Sequence, residues 1–100
     1  MYPHYSYDLG YISTYNPFNP IEAVYVEVEI NYATNVMLMD RFNYSYYCEE
    51  RYCTYYGGYT TSSPVTIKVP RSDAWILVID NGGDDMDGIE ATVHTDTYYE

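Results

Sequence analysis

Cys48 and Cys53 flank Glu49-Glu50-Arg51-Tyr52 within the stretch NYSYYCEERYCTYYGGY, residues 43–59. If 44–48 and 53–57 pair as a hairpin with a four-residue loop, the two thiols face each other. A non-hydrogen-bonded antiparallel pair brings alpha carbons to about 4.5 Å, near the short end of disulfide geometry. A disulfide is therefore feasible, and a free thiol pair equally so. Closing so short a loop stabilises little through chain entropy, so the bond would chiefly rigidify the segment. Zinc on these thiols is not expected, because His4 and His94 bear no spacing relation to them.

The second chemically suggestive stretch is DNGGDDMDGIE, residues 80–90. Asp80, Asp84, Asp85, Asp87 and Glu90 offer carboxylate oxygens, and the glycines allow tight turns, a combination that suits calcium. The spacing is not that of an EF-hand. Taking Asp80 as the first position puts Gly82 at the third and Asp85 where glycine is required. A solvated hairpin loop is the alternative, and no other cofactor is implied.

Catalytic motifs are missing. No G-x-S-x-G elbow accompanies the two histidines, and no glycine loop opens a helix to cradle phosphate. Glu27 and Glu29 alternate along one strand on the exposed face, where like charges solvate. The chain is therefore expected not to be an enzyme, with no small-molecule substrate implied. Asn43-Tyr44-Ser45 fits the N-glycosylation triplet, which carries meaning only in a secreted eukaryotic protein.

Seven of the sixteen tyrosines remain to be explained: Tyr44, Tyr46, Tyr47, Tyr52, Tyr55, Tyr56 and Tyr59. Tyrosine has two side-chain torsions and so offers a large amphipathic contact area at low entropic cost. Mixed with Ser45, Thr54, Gly57 and Gly58, these residues have the composition of a protein-binding surface. The alternative is that alternate rings cap an open edge of the fold and leave their hydroxyls in water.

The elements that must position these groups are strands. In VYVEVEI, Val24, Val26, Val28 and Ile30 share one face while Tyr25, Glu27 and Glu29 share the other, the signature of a half-buried strand. TNVMLMD is apolar on both faces, Val36 and Leu38 against Met37 and Met39, as in a central strand, and is expected to form a hairpin with the strand before it. VTIKV turns Val65, Ile67 and Val69 inward between Pro64 and Pro70. WILVID is again apolar on both faces, and IEATVHT alternates with Ile89, Ala91 and Val93 inward. With Tyr5 to Ile12 added, the pattern predicts an all-β fold, a small antiparallel two-sheet β-sandwich, jelly-roll-like, of about six to eight strands. No helix is expected, since no window of eleven or more residues has helical apolar spacing. Prolines 17 and 20 make Asn16 to Pro20 a loop.

One hundred residues form one domain, taken as 1–100. A formal net charge of −11 repels phosphate backbones and anionic headgroups, so neither nucleic acid nor membrane is an expected partner. The longest apolar run, AWILVI at 74–79, is far short of a membrane span. No secretory leader is visible at the N-terminus, which favours a cytoplasmic location.

Several of these segments recur in a known order: YDLGYI at 7–12, VEVEI and TNVMLMD, the NYS and YYGGY ends of 43–59, SPVTIKVPRS at 63–72, and W-x-L-V-I-D-x-G-G at 75–83. In this combination the chain resembles the small bacterial β-sandwich family called domain of unknown function 1883 (DUF1883). The resemblance implies a compact antiparallel sandwich, in some relatives attached to TIR-type domains of bacterial immunity systems, with no established activity. Relatives are Arg-rich where this chain has Tyr47, Cys48, Tyr52, Cys53 and Thr54 around a single Arg51. The function expected is a non-enzymatic interaction module presenting the Tyr-rich loop or hairpin, 43–59, to a protein partner. An acidic decoy or inhibitor of a bacterial immunity component, and a self-assembling structural β-protein, are the alternatives.

Overall fold

Alternation of valine with polar residues produces the strands, and the computed structural model shows how they stack; it describes residues 1–14, 18 and 22–99. In chain order the elements are β1 (His4–Ile12), β2 (Glu22–Ile30), β3 (Thr34–Asp40), α1 (Arg41–Cys48), β4 (Tyr56–Thr60), β5 (Val65–Lys68), β6 (Asp73–Asp80) and β7 (Ala91–Tyr99). They form a four-stranded sheet in the order β1-β6-β3-β4 and a three-stranded sheet in the order β5-β2-β7. All pairings are antiparallel. The expected two-sheet sandwich is the observed architecture. The loop expected over 16–20 lies, Phe18 apart, outside the described residues.

The main core fills the space between the sheets. Val24, Val26 and Val28 of β2 oppose Val36 and Leu38 of β3 and Trp75, Leu77 and Ile79 of β6, with Ile67 and Val69 closing one side. Fully burying a side chain of this size contributes about 1.5–3 kcal/mol, so these residues dominate stability. Met86 and Ile89 reach into the same core from the connection between β6 and β7. At β4, Gly57 has φ +105°, and a Cβ there would fall on the Val36 carbonyl oxygen, so only glycine permits this close strand approach.

Two segments read as apolar on both faces are central strands, β3 and β6. Their second faces build a smaller cluster of Met37, Met39, Ile76 and Val78 on the outside of the four-stranded sheet. Something must cover it. Tyr47 of α1 completes that cluster, with Tyr44, Cys48 and Cys53 packed around it.

The hairpin expected between β2 and β3 does not form, because the two strands lie in different sheets. Instead β2 pairs with β7 along its whole length, and Asn31 fastens the end of that ladder. Its backbone amide donates to Glu90 O, its Nδ2 donates to Gly88 O at 2.8 Å, and its Oδ1 accepts from Glu90 N at 2.8 Å. These bonds hold the end of β2 on the start of β7, and the chain crosses between the sheets over residues 31–33. Val24, Val26 and Val28 thereby face β3 across the core instead of lying beside it.

Candidate interaction surface

The segment 41–48 is helical, which corrects both the expectation of no helix and the proposed hairpin of 44–48 with 53–57. The helix starts at Asp40, whose Oδ1 accepts from Asn43 N at 2.8 Å and from Asn43 Nδ2 at 3.0 Å. Such an N-cap satisfies an amide that has no partner within the helix. The other oxygen of Asp40 accepts from Arg71 Nη2 at 2.6 Å. Arg71 in turn lies 4.9 Å above the Trp75 ring, and Trp75 Nε1 donates to Arg71 O at 3.0 Å. The helix start is thus tied to the start of β6.

The helix ends in a Schellman motif. Arg51 N donates to Tyr46 O at 2.9 Å and Glu50 N to Tyr47 O at 3.0 Å, with Glu50 in the left-handed region at φ 57°. Beyond it, Thr54 N donates to Asn43 Oδ1 at 2.8 Å, which folds the following residues back along the helix.

Three positions on α1, Tyr44, Tyr47 and Cys48, share the inward face at the spacing helical neighbours require. Tyr47 is 5% exposed, and its hydroxyl donates to Asp80 Oδ2 at 2.6 Å. Asp80 Oδ1 accepts from Asn35 Nδ2 at 2.8 Å and from Gly82 N at 3.1 Å, so the buried carboxylate is fully engaged. Burial first, and the Asp80 carboxylate second, hold the Tyr47 phenol far above its ordinary range. His4 packs edge-on against the Tyr47 ring at 5.1 Å. His4 Nδ1 lies 2.7 Å from the Tyr2 carbonyl oxygen and must donate to it. In the neutral imidazole, Nε2 is then the acceptor for the Tyr44 hydroxyl at 2.9 Å. These tyrosines fasten the helix to the sheet.

Of the other five tyrosines of the segment, four turn outward, and Tyr56 packs on the fold with part of its ring exposed. Tyr52 is 93% exposed and Tyr59 70%, while Tyr46, Tyr55 and Tyr56 are also exposed. Phe42, which residue typing alone did not single out, is 79% exposed. Phe42, Tyr46 and Glu49 follow at i, i+4 and i+7, which places them on the outward face of α1. The guanidinium of Arg51 lies 4.9 Å over the Tyr46 ring. Tyr56 packs edge-on against Trp75 at 5.9 Å, and Tyr59 stands on the edge strand β4. These exposed rings, on α1, on the residues after it and on the edge strand β4, make up the candidate aromatic surface, with the exposed Glu49 and Glu50 beside them in sequence.

A family model described as a domain of unknown function, DUF1883, matches residues 18–96. The chain belongs to the DUF1883 family. No curated protein and no solved structure matches it. The match takes in α1, β4 and the intervening residues, so the aromatic surface is built on the DUF1883 domain itself.

Both cysteines of this DUF1883 domain are free thiols. The hairpin that would have set them face to face is replaced by a helix end. Cys48 lies on the last turn and Cys53 beyond the Schellman motif, and both pack against the outer cluster. Burial pushes the Cys53 thiol above its ordinary range.

No three of the five acidic-loop carboxylates suggested for calcium converge. Asp80 is turned inward to Tyr47, Asn35 and Gly82, whereas Asp84, Asp85, Asp87 and Glu90 are exposed. Asp85 Oδ1 accepts from Asp87 N at 3.1 Å, and Met86 and Ile89 bury themselves in the core. Apolar anchoring shapes this loop and spreads its carboxylates. Among the described residues, the group of three ligand-bearing side chains that does converge is Glu27, His94 and Asp96.

Proposed function

We propose that this DUF1883 domain is a non-enzymatic interaction module of a bacterial cell that presents Phe42, Tyr46, Tyr52, Tyr55 and Tyr59 to a protein partner. The observation that carries the reading is the division of labour within one segment. Tyr44 and Tyr47 fix α1 on the sheet, which leaves the remaining rings exposed on a held backbone. Rigid aromatic anchors lose little entropy on binding, and truncating one at the centre of an interface typically costs about 2 kcal/mol or more. With Glu49 and Glu50 beside the rings and a net charge of −11, the surface suits a partner carrying Arg or Lys among apolar side chains. Arg51 over Tyr46 shows the kind of cation contact these rings accept.

The test is the combined variant Tyr46→Ser, Tyr52→Ser, Tyr55→Ser and Tyr59→Ser, with Tyr44, Tyr47 and Tyr56 kept because they pack on the fold. Affinity capture from the native host and sedimentation velocity are compared with the unaltered chain. Loss of a captured protein, or of self-association, with melting unchanged supports the reading. Capture and self-association that both survive the four substitutions overturn it. A captured partner that releases steeply with salt while ignoring the substitutions would point to an acidic decoy instead.

A further inference from the structure

His94 of β7 stands directly opposite Glu27 of β2 in the antiparallel register, and Asp96 follows two residues later on the same face of β7. His94 Nε2 is 3.6 Å from Glu27 Oε1 and 3.4 Å from Asp96 Oδ2. One ligand atom from each residue lies within 4.8 Å of the other two. A tetrahedral zinc ion bound to nitrogen and oxygen at about 2.0–2.2 Å sets its ligand atoms about 3.4 Å apart. The two distances from His94 therefore already match edges of a zinc tetrahedron.

Three further features favour a metal there. Both strands are paired along their whole length, Glu22–Ile30 against Ala91–Tyr99, so the ligands sit on a backbone that need not rearrange. One imidazole with two carboxylates suits a first-row transition ion, whereas calcium takes six or more oxygens. The strongly acidic chain attracts divalent cations.

We propose that Glu27, His94 and Asp96 form a zinc site on the outer face of the three-stranded sheet, with water or a partner's side chain at the fourth position. The site is independent of the aromatic surface, which lies on the other sheet. A protonated His94 shared between two carboxylates has the same distances, so the response to zinc is what separates the two.

The reduced full chain is titrated with zinc chloride by calorimetry and followed by the imidazole NMR signals of His94. The expected result is saturable micromolar binding of one ion that moves the His94 signals, weakened roughly tenfold or more in His94→Gln and in Glu27→Gln. A chain with both Cys48→Ser and Cys53→Ser should bind as tightly as the unaltered one, and excess magnesium should not compete. The proposal fails if His94→Gln binds zinc undiminished, if the double serine variant loses binding, or if the unaltered chain binds at millimolar zinc only. Should His94→Gln fold poorly by circular dichroism, Glu27→Gln and the His94 signals of the unaltered chain decide the matter.

Discussion

The Tyr47 hydroxyl donates to Asp80 Oδ2 at 2.6 Å, joining α1 to the end of the central strand β6 across the outer face of the sheet. Both residues are buried, and the acceptor is a carboxylate. Hydrogen bonds to charged groups contribute about 1.5–3 kcal/mol net, more than neutral ones. Tyr47→Phe keeps the ring among Met37, Met39, Ile76 and Val78 and removes only the donor. The variant should lose about 1.5–3 kcal/mol in urea unfolding. In a domain of this size that lowers the melting temperature by roughly 4–8 °C per kcal/mol. A melting temperature equal to the unaltered chain's would show that the bond stabilises nothing.

The same contact sets an alkaline limit on stability. Tyr47 is held above its ordinary value of 10.0, chiefly by burial, while in the unfolded chain it titrates normally. Above that value the unfolded chain binds fewer protons than the folded one, so the stability that Tyr47 contributes is complete below pH 10.0 and is lost as pH rises, while Cys53, raised by burial from 9.0, starts the decline earlier. Tyr44 and Tyr7, also raised chiefly by burial, add to the slope. Urea midpoints measured upward from neutral pH should hold level and then drop. Tyr47→Phe should drop less steeply, and an equal slope would mean that Tyr47 ionises as freely when folded.

Asp40 serves two roles that substitution can separate. As N-cap it accepts from Asn43, and its second oxygen accepts from Arg71. Asp40→Asn retains a capping oxygen and loses the charge, whereas Asp40→Ala loses both. The cap alone is worth about 0.5–2 kcal/mol. Arg71 is half exposed and keeps Asp73, so its bond to Asp40 contributes less than its short distance suggests. Asp40→Ala should therefore cost clearly more than Asp40→Asn in urea unfolding and also reduce helical circular dichroism. Equal losses would assign the effect to the ion pair.

The strands could be read from the sequence because a two-residue period writes burial directly into residue type. Val24, Val26 and Val28 alternate cleanly, and the doubly apolar β3 and β6 are central. What covers their outer face was hidden. The inward stripe of α1 is Tyr44, Tyr47 and Cys48, none of them aliphatic, and eight residues are too few for a periodic signal. Sequence neighbours usually pair, but β2 pairs with the distant β7 along its whole length, with Asn31 bonded to Gly88 and Glu90 at the end of the ladder. The aromatic surface was half readable: composition pointed to the segment, and helix geometry decided which rings face out. Glu27 and His94 are far apart in sequence, and strand register alone brings them together.

The end of α1 explains why no stop signal marked it, and this can be put to use. Glu50 occupies the left-handed position of a Schellman motif at φ 57°, where glycine is usual. A residue with a Cβ is disfavoured there by about 1–2 kcal/mol. Glycine recovers that strain but gives up about 0.4–1 kcal/mol through the freer unfolded chain. The contact of Glu50 with the Met1 amino group, 3.7 Å and exposed on both sides, contributes little. Glu50→Gly should therefore stabilise the domain by roughly 0.5–1 kcal/mol, raising the urea midpoint at unchanged m-value. Glu50→Ala, which removes the carboxylate and keeps the Cβ, should bring no such gain; if both variants gain equally, relief of charge and not of backbone strain is the cause.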